Sequence, residues 1–280
     1  MEVFTDKELM RRWSREVRAA GETVALVPTM GALHEGHLRL VELAAETADR
    51  VVVSIYVNPT QFDRAEDLER YPRTLHTDLK ALEGTRCRAV FAPTEMYLPN
   101  NTTWVTVDGL TDHLCGLTRP GHFRGVTTIV MKLLHVVEPD VAIFGNKDYQ
   151  QRRVLEQMVR DQDMPIRVIA APTVREPDGL AMSSRNARLS ASARSNATAI
   201  PKALDRAVAA FQAGERTVGA LLGPVRDALV AAGGTIDYIE VADDLTLMPL
   251  PPEHTLTAPA VLAVAVFFGG IRLIDNAALG

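Results

Sequence analysis

Between Pro28 and His37 the chain reads Pro-Thr-Met-Gly-Ala-Leu-His-Glu-Gly-His, and this stretch separates two different periodic patterns. The residues before it, Thr23 to Val27, form an apolar run rich in β-branched side chains, which predicts a buried strand. After it, apolar residues recur at helical spacing from Leu38 to Ala48. The decapeptide is therefore predicted to be a strand-to-helix turn at the carboxyl edge of a parallel sheet, where open α/β folds bind ligands.

The residue types in this turn suit an anionic ligand. Gly31 and Gly36 carry no Cβ, so the backbone there can approach a ligand closely. The new helix offers N–H groups and the positive end of its dipole to an anion. His34 and His37 are three residues apart and share one face of the first turn, whereas a zinc-binding His-Glu-x-x-His motif needs a spacing of four. These features favour a phosphate chain, and Glu35 is expected to face solvent.

Strand and helix patterns alternate through the first 174 residues. Strands are predicted at 23–27, 51–57, 89–92, 104–107, 141–144 and 166–170, and helices at 4–20, 38–48, 75–82 and 123–137, with a further helix carrying Val154, Leu155 and Met158. This alternation predicts an α/β fold with a Rossmann-like parallel sheet flanked by helices.

The pattern changes after Thr173. A polar, glycine-containing loop at 175–186 is long enough to be functional or to act as a hinge. Helices are predicted at 191–213 and 218–232, and strands at 235–241, 261–268 and 271–274, with Gly269-Gly270 as a hairpin turn. We therefore predict two domains, 1–174 and a smaller C-terminal α+β lid domain, 175–280.

Composition narrows the range of partners. The formal net charge of the 280 residues is −5 and no Lys/Arg block stands out, which argues against a nucleic-acid partner. No apolar run approaches the length of a membrane span, and the first ten residues carry charges where a signal peptide would be apolar. Cys87 and Cys115 lack metal-ligand spacing and predict free thiols, which is typical of a reducing cytoplasm.

Five ordered blocks resemble a known family. His34-Glu-Gly-His37 resembles the His-x-Gly-His element of the nucleotidylyltransferase and class I aminoacyl-tRNA synthetase superfamily, and the whole decapeptide resembles the pantothenate synthetase family. The four other blocks are Val57-Asn-Pro-Thr-Gln-Phe62, Arg119-Pro-Gly-His-Phe-Arg-Gly-Val126, Phe144-Gly-Asn-Lys-Asp-Tyr-Gln-Gln151 and Asp178-Gly-Leu-Ala-Met-Ser-Ser-Arg-Asn186. The resemblance extends from the first strand to Leu273-Ile-Asp-Asn276, which is nearly the whole chain.

The resemblance implies an ATP-dependent carboxylate–amine ligase that joins (R)-pantoate to β-alanine and releases pantothenate, AMP and pyrophosphate. The pantoate carboxylate would attack the α-phosphorus of ATP, and β-alanine would then attack the carbonyl of the pantoyl adenylate. The same resemblance implies that ATP is a substrate accompanied by Mg²⁺, and that the protein is a homodimer.

The resemblance also assigns residues to ATP, with catalytic roles for His34, His37 and Lys147. The histidines would donate hydrogen bonds where charge builds as an oxygen attacks phosphorus. Lys147 would supply a point charge to phosphate, and Arg185 a planar fork. The implied ATP-binding residues are Met30, Gly31, Ala32, Leu33, His34, Glu35, Gly36, His37, Gly145, Asn146, Lys147, Asp148, Val174, Met182, Ser183, Ser184 and Arg185. Of these, Val174 would contact adenine through its backbone.

A second group is assigned to the other substrates. Gln61 and Gln151 each carry a donor and an acceptor, which suits hydroxyls beside a carboxylate. The resemblance assigns both glutamines to pantoate and places Gln61 near β-alanine as well. Pro28, Met30 and Phe62 would form an apolar wall for the gem-dimethyl group of pantoate. The polar residues Asn58, Arg119 and His122 are candidates for the same pocket or for the incoming amine.

Two positions depart from the family pattern. Some relatives have a run of aspartates, linked to metal-bound phosphates, where this chain has His76 and Thr77 before Asp78. Asp78 is the candidate metal ligand that remains. Asn146 stands where relatives often have glutamate, and we expect little effect from this change.

Two other functions compete with the ligase. A nucleotidylyltransferase that transfers AMP to a phosphorylated acceptor would need more positive charge and no amine pocket. A nucleotide-binding regulatory module explains the glycine turn but not the histidine pair or the second phosphate loop. An aminoacyl-tRNA synthetase fits poorly because no basic anticodon-type domain is present.

Overall fold

The computed structural model describes residues 1–280, which form two compact units. The first unit comprises Met1–Val107, Arg119–Asn146 and Gln151–Pro172, and the second comprises Asp108–Thr118, Lys147–Gln150 and Thr173–Gly280. The second unit thus includes two short segments that precede residue 174 in the chain. The division into contiguous domains 1–174 and 175–280 stays a prediction.

A six-stranded, wholly parallel sheet lies at the centre of the first unit. Its strands in chain order are β1 (Glu2–Phe4), β2 (Val24–Thr29), β3 (Arg50–Ile55), β4 (Cys87–Phe91), β5 (Val141–Gly145) and β6 (Arg167–Ala171), and their spatial order is β1-β4-β3-β2-β5-β6. The chain order reverses between β2 and β5, so ligands are expected in the crevice outside the carboxyl ends of these two strands. This sheet confirms the predicted Rossmann-like fold.

Ten α-helices accompany the strands. They are α1 (Lys7–Ala19), α2 (Glu35–Thr47), α3 (Ala65–Glu69), α4 (Leu75–Leu82), α5 (Leu114–Thr118), α6 (His122–Val137), α7 (Tyr149–Asp161), α8 (Ala191–Ala197), α9 (Ala199–Gln212) and α10 (Val218–Ala231). Residues Val24 to Val27 of β2 are completely buried, as expected for a parallel strand covered on both faces. On one face, Val41 and Ala44 of α2 pack into the same cluster as Val27 and Val53. None of the helices combines the length and apolar character that crossing a bilayer requires.

The second unit contains an antiparallel sheet of three strands, β7 (Thr235–Asp243), β8 (Ala260–Phe268) and β9 (Ile271–Leu279). The two residues between β8 and β9, Gly269 and Gly270, have φ values of +55° and +75°. Two consecutive positive φ angles are typical of a type I′ turn, so the predicted hairpin is confirmed. Apolar residues of α9 and α10, including Leu204 and Leu229, pack with Leu262 and Val264 in the core of this unit.

The predicted strand at Trp104 to Val107 is wrong. The structure has no strand between β4 and β5, although this segment alternates in polarity. The N–H of Val105 donates to Thr128 Oγ1 (3.0 Å), and its carbonyl accepts from Thr127 Oγ1 (2.6 Å). Hydroxyls of α6 therefore satisfy this backbone, and no strand partner is needed.

Two further predictions near helix ends are also corrected. The helix predicted from Phe4 begins at Lys7 instead, because Asp6 caps it by accepting from two backbone N–H groups, and the residues before it form β1. The single helix predicted over 191–213 is two helices that meet at Thr198. Pro201 has no N–H to donate to residue 197, which explains why α8 ends there.

Both cysteines are buried free thiols, as predicted. Burial raises the pKa of the Cys87 thiol to about 11, so this group stays protonated at neutral pH. A protonated, buried thiol is a poor nucleophile, and Cys87 is therefore a packing residue.

Close contact between α6 and the turn after β3 generates a first prediction. A Cβ on Gly125 would lie 2.3 Å from the carbonyl oxygen of Thr60 and 2.7 Å from the backbone nitrogen of Gln61. We expect Gly125→Ala to lower the free energy of unfolding by about 1–3 kcal/mol, the usual cost of overpacking. Urea unfolding measures this change. Arg206→Ala, at an exposed position on α9, is the control and should change stability by less than about 0.5 kcal/mol. Equal losses would contradict the prediction.

Candidate active site

The turn between β2 and α2 has an unusual backbone. Gly31 and Ala32 both have positive φ, +82° and +52°. A Cβ on Gly31 would lie 2.9 Å from Asp78 Oδ2 and 3.2 Å from Ile55 Cγ2, so position 31 requires glycine for both conformation and space. A left-handed alanine costs energy and persists only where surrounding contacts hold it.

Those contacts come from Asp78 of α4. Its carboxylate accepts the N–H of Ala32 (3.1 Å), the N–H of Leu33 (2.8 Å) and the hydroxyl of Thr74 (3.1 Å). Only 2% of Asp78 is exposed, and both of its oxygens are used in these bonds. The structure thus gives Asp78 the task of holding the turn, while its assignment as a metal ligand stays a prediction. No group of three or more His, Cys, Asp or Glu side chains comes together as a preformed cation site.

His34 and His37 cap the first turn of α2. The N–H of Gly36 donates to His34 Nδ1 (3.1 Å), and the N–H of His34 donates to His37 Nδ1 (3.3 Å). This reciprocal arrangement is a capping box built from two imidazoles, whose ring centroids are 4.1 Å apart. Glu35 between them is exposed, as predicted.

The capping bonds determine which ring nitrogen carries the proton. A nitrogen that accepts a backbone N–H has no hydrogen of its own, so Nδ1 of each neutral imidazole is the acceptor and Nε2 is the N–H donor. Both rings therefore present an N–H donor on the side away from the helix backbone. Together with the positive end of the α2 helix dipole, these two donors favour the binding of phosphate oxygens.

Gln61 is held by a second network, in which Asn58 is the central residue. Asn58 is 1% exposed and donates through Nδ2 to the Gly125 carbonyl (3.1 Å) and to Gln61 Oε1 (2.9 Å). Its own oxygen accepts from Tyr97 Oη (2.9 Å) and Thr60 Oγ1 (3.0 Å). A backbone carbonyl can only accept, so these bonds fix both amide orientations and leave Gln61 Nε2 as the donor arm. Asn58 lies buried next to Gln61, and its assignment to substrate stays a prediction.

Arg119 and His122 hold the backbone of the same turn. His122 Nδ1 lies 2.7 Å from the carbonyl oxygen of Gln61, and Arg119 Nη1 lies 3.2 Å from His122 Nε2. Arg119 also donates to Asp63 Oδ1 from Nε (3.0 Å) and Nη2 (2.9 Å). Burial would raise the pKa of Asp63, but the Arg119 guanidinium outweighs it and the pKa is lowered. Both predicted substrate residues thus brace Gln61, and Asp63 neutralises the arginine.

The remaining candidates of the first unit lie along the same sheet. β2 and β5 are paired neighbours, so the Pro28–His37 turn and Gly145-Asn146 leave the same edge. Asn146 Oδ1 accepts from Arg152 Nε (2.9 Å). Pro28, Met30, Phe62 and Gln151 are all partly buried, and the Phe62 ring packs edge-on against Tyr71 at 5.6 Å.

The second unit contains the other predicted phosphate-binding residues. Lys147, Ser183 and Arg185 line one small cavity, so the structure brings Lys147 together with two side chains that are 36 and 38 residues away in the chain. Ser183 caps a 3₁₀ turn, Ser184–Arg188, by accepting the N–H of Arg185 (3.2 Å). Asp148 completes the one-turn 3₁₀ helix Asn146–Asp148.

A short hairpin leads into the serine loop. The carbonyl of Val174 accepts the N–H of Met182 (2.9 Å), and Arg175 pairs with Ala181 in an isolated antiparallel bridge. Asn186, 9% exposed, donates to Glu176 Oε1 (2.7 Å) and to the Ala181 carbonyl (3.1 Å). The loop predicted from the sequence is therefore an ordered hairpin.

Sequence reasoning missed several residues that organise these sites. Asp63 and Tyr97 lie 56 and 39 residues from their partners, Arg119 and Asn58, and no local pattern links them. Asp275 and Asn276 could have been singled out, because two polar residues interrupt a strand that otherwise packs into the core.

The fold and the turn define a Rossmann-like α/β protein with a His-x-Gly-His element at its first crossover. A family model described as pantoate-beta-alanine ligase matches residues 2–278. A pantothenate synthetase from Salinibacter ruber is 47% identical over 287 residues, which cover 99% of this chain and 97% of the relative. This protein belongs to the pantoate–β-alanine ligase family and is an enzyme, as the five sequence blocks indicated.

Solved structures agree with this assignment. The crystal structure of pantothenate synthetase from Thermus thermophilus superposes with a TM-score of 0.89 at 42% identity and covers 99% of both chains. Pantoate-beta-alanine ligase from Francisella tularensis, complexed with beta-gamma ATP and β-alanine, has a TM-score of 0.81 at 30% identity over 99% of this chain and 97% of that one.

The contacts of Asp78 generate a second prediction. Asp78→Asn keeps the shape of the side chain but turns an NH₂ group toward one of the backbone N–H donors, so one hydrogen bond to the turn is lost. We expect kcat to fall by about 10- to 100-fold, the scale of a small misplacement of catalytic groups, while the fold is retained. Steady-state turnover and circular dichroism measure the two effects.

The same variant separates the two roles of Asp78. If the carboxylate holds the turn, raising the Mg²⁺ concentration should not restore turnover. Rescue by Mg²⁺ would instead support a metal ligand. Glu69→Gln, which removes an exposed carboxylate from α3, is the matched control and should leave kcat unchanged.

Proposed function

We propose that this enzyme condenses (R)-pantoate with β-alanine at the expense of ATP and that it does so through a pantoyl adenylate. The observation that carries the proposal is the capped histidine pair, whose two Nε2–H donors accompany the N-terminus of α2. Membership of the pantoate–β-alanine ligase family supplies the substrates, and the Francisella tularensis relative was solved with beta-gamma ATP and β-alanine.

Activation is the first half-reaction. A free carboxylate is a poor acyl donor because it is anionic and has no good leaving group. A carboxylate oxygen of pantoate attacks the α-phosphorus, an O–P bond forms, and the bond to the β-phosphate oxygen breaks, so that pyrophosphate leaves. Negative charge builds on the phosphoryl oxygens during attack, and donors already fixed in place stabilise it without reorganisation. We assign this task to His34 and His37.

Amide formation is the second half-reaction. The neutral amine of β-alanine attacks the acyl carbon, the C–O bond to AMP breaks, and the amine loses a proton. The donor arm of Gln61 binds acceptors, so we assign it to carboxylate or hydroxyl oxygens of pantoate and to the carboxylate of β-alanine. It is not assigned to the amine, because the lone pair of the amine must point at the acyl carbon. Gln151 completes the pantoate contacts, and Pro28, Met30 and Phe62 supply the apolar wall.

Further ATP contacts are assigned as the family resemblance implies. In the second unit, Lys147 and the Ser183–Arg185 loop are assigned to phosphate, and the Val174 backbone with Met182 is assigned to adenine. Gly145 and Asn146 are assigned to ATP on the first unit. Mg²⁺ is proposed to enter on the nucleotide, held by phosphate oxygens and water with few protein ligands. The chain fits an ion carried this way, because Asp78 uses both oxygens on protein donors.

We also propose a homodimer, which the family resemblance implies. Sedimentation equilibrium should then give about twice the chain mass of 30.6 kDa. A mass equal to one chain across the working concentration range would contradict it.

An isotope experiment tests the proposed reaction. Pantoate labelled with ¹⁸O in its carboxylate, mixed with ATP and β-alanine, should yield unlabelled pyrophosphate and AMP that carries one ¹⁸O atom, because the attacking oxygen stays on phosphorus. Mass spectrometry of AMP and detection of pantothenate report both steps. Unlabelled AMP would overturn the adenylate, and pyrophosphate release without an amide product would favour the nucleotidylyltransferase alternative.

A substitution tests the role of the histidine pair. We expect His37→Ala to lower the rate of adenylate formation by about 10²–10³, the usual cost of removing one transition-state donor. Single-turnover measurement of pyrophosphate release gives this rate. Arg39→Ala changes an exposed residue two positions along α2 and is the matched control. Near-normal turnover of His37→Ala would remove the histidine from the mechanism.

A further inference from the structure

Two adjacent polar residues lie inside β9, where neither the fold nor the proposed reaction accounts for them. Asp275 and Asn276 end the Leu273-Ile-Asp-Asn motif and are 3% and 8% exposed. Their neighbours along the strand, Leu273 and Leu279, belong to the apolar core of the second unit. Buried polar groups are costly unless they are hydrogen-bonded, so the bonds that these two residues make indicate their purpose.

Asn276 holds the backbone at Lys147. Its Nδ2 donates to the carbonyl oxygen of Lys147 at 2.9 Å. Lys147 is the middle residue of the one-turn 3₁₀ helix Asn146–Asp148, which joins the end of β5 to the start of α7, at the point where the backbone changes from strand to helix. A bond to its carbonyl therefore fixes the direction in which its side chain leaves the backbone.

Asp275 holds the hairpin that leads into the serine loop. Its carboxylate accepts from Arg175 Nη1 (2.6 Å) and Nη2 (3.2 Å), and only 1% of the Asp275 side chain is exposed. Arg175 Nη1 also donates to the Gly179 carbonyl (3.1 Å), and Arg175 pairs with Ala181 across the hairpin. The guanidinium thus ties the start and the tip of the hairpin to β9, and the backbone bridge joins the start of the hairpin to its end. The hydrogen bonds that Arg175 donates to Asp275 raise the pKa of Arg175 despite its burial, so the guanidinium stays protonated.

Successive side chains of a strand point to opposite faces, so one strand can hold two separate elements with two adjacent residues. The backbone of β9 is rigid because nine of its residues pair with β8. The cavity lined by Lys147, Ser183 and Arg185 is also lined by Asp275, which brings the two elements and their anchor together.

We propose that Asp275 and Asn276 are positioning residues that set Lys147 and the Ser183–Arg185 loop in register for the phosphates of ATP. The inference rests on the proposed function, because it takes Lys147 and the loop to be phosphate ligands. Neither anchor contacts the nucleotide itself. Each acts through the element that it holds.

A double-mutant cycle distinguishes positioning from simple stabilisation. We expect Asn276→Ala to lower kcat/KM for ATP in the adenylation half-reaction by about 10- to 100-fold, as small misplacements do. In a Lys147→Ala background the same change should cost less than about 3-fold, because the side chain that Asn276 positions is gone. KM for β-alanine should stay unchanged. Asn276→Ser, a smaller perturbation, enters the same cycle if the alanine variant does not fold.

A parallel cycle tests the other anchor. Asp275→Asn should weaken ATP use in the wild-type background and have little further effect in Arg185→Ala. The matched control is Glu240→Gln, which removes a half-buried carboxylate from β7 of the same sheet and should leave ATP use unchanged.

The outcomes distinguish a failure of the positioning role from a failure of the proposed phosphate ligands. Equal losses in both backgrounds would overturn the positioning role while leaving the phosphate ligands in place. Normal ATP use by Asn276→Ala or Asn276→Ser would do the same. A silent Lys147→Ala would overturn the proposed role of Lys147, and the inference about Asn276 would fall with it.

Discussion

The turn after β2 depends on one constraint, which is that its backbone N–H groups must each find an acceptor. Asp78 accepts from Ala32 and Leu33, and the two histidines accept from the N–H groups of His34 and Gly36. The two imidazoles therefore have a structural role, which is to cap the first turn of α2. Because Nδ1 of each ring accepts a capping hydrogen bond, Nε2 carries the proton and its direction is fixed. The bonds that begin α2 therefore also orient the donors proposed to bind a phosphate chain.

Many charged side chains of this protein form ion pairs with a side chain of opposite charge. Arg119 is paired with Asp63 and Arg175 with Asp275, so part of the positive charge of both arginines is balanced by the protein itself. A net charge of −5 is compatible with binding ATP and two carboxylates, because phosphate binding is assigned to a few donors. Several of these are neutral groups, such as imidazole N–H, serine hydroxyls and an amide, whose strength depends on prior orientation.

Local patterns predicted the parallel sheet, the position of the histidine turn at the edge of β2, and the β8–β9 hairpin, because each of these depends on periodicity or on a few adjacent residues. Contacts distant in the chain were not predictable in the same way. Trp104 to Val107 has the alternation of a strand, yet two threonine hydroxyls of α6 satisfy its backbone. The position of Asn58 in its motif predicts a ligand. Its bonds to Gly125 and Tyr97, which show that it is buried next to Gln61, were not predictable from that position.

Both units hold a proposed substrate-binding residue in place through a hydrogen bond from a buried side chain. In each, a residue proposed to touch substrate is held by a buried asparagine: Gln61 by Asn58, and Lys147 by Asn276. Arranging these donors during folding means that less order has to be created when substrates bind, so more of the binding energy is available for the transition state. The supporting residues are therefore as necessary to the proposed chemistry as the donors. They escape sequence motifs because their partners are set by the fold and not by spacing.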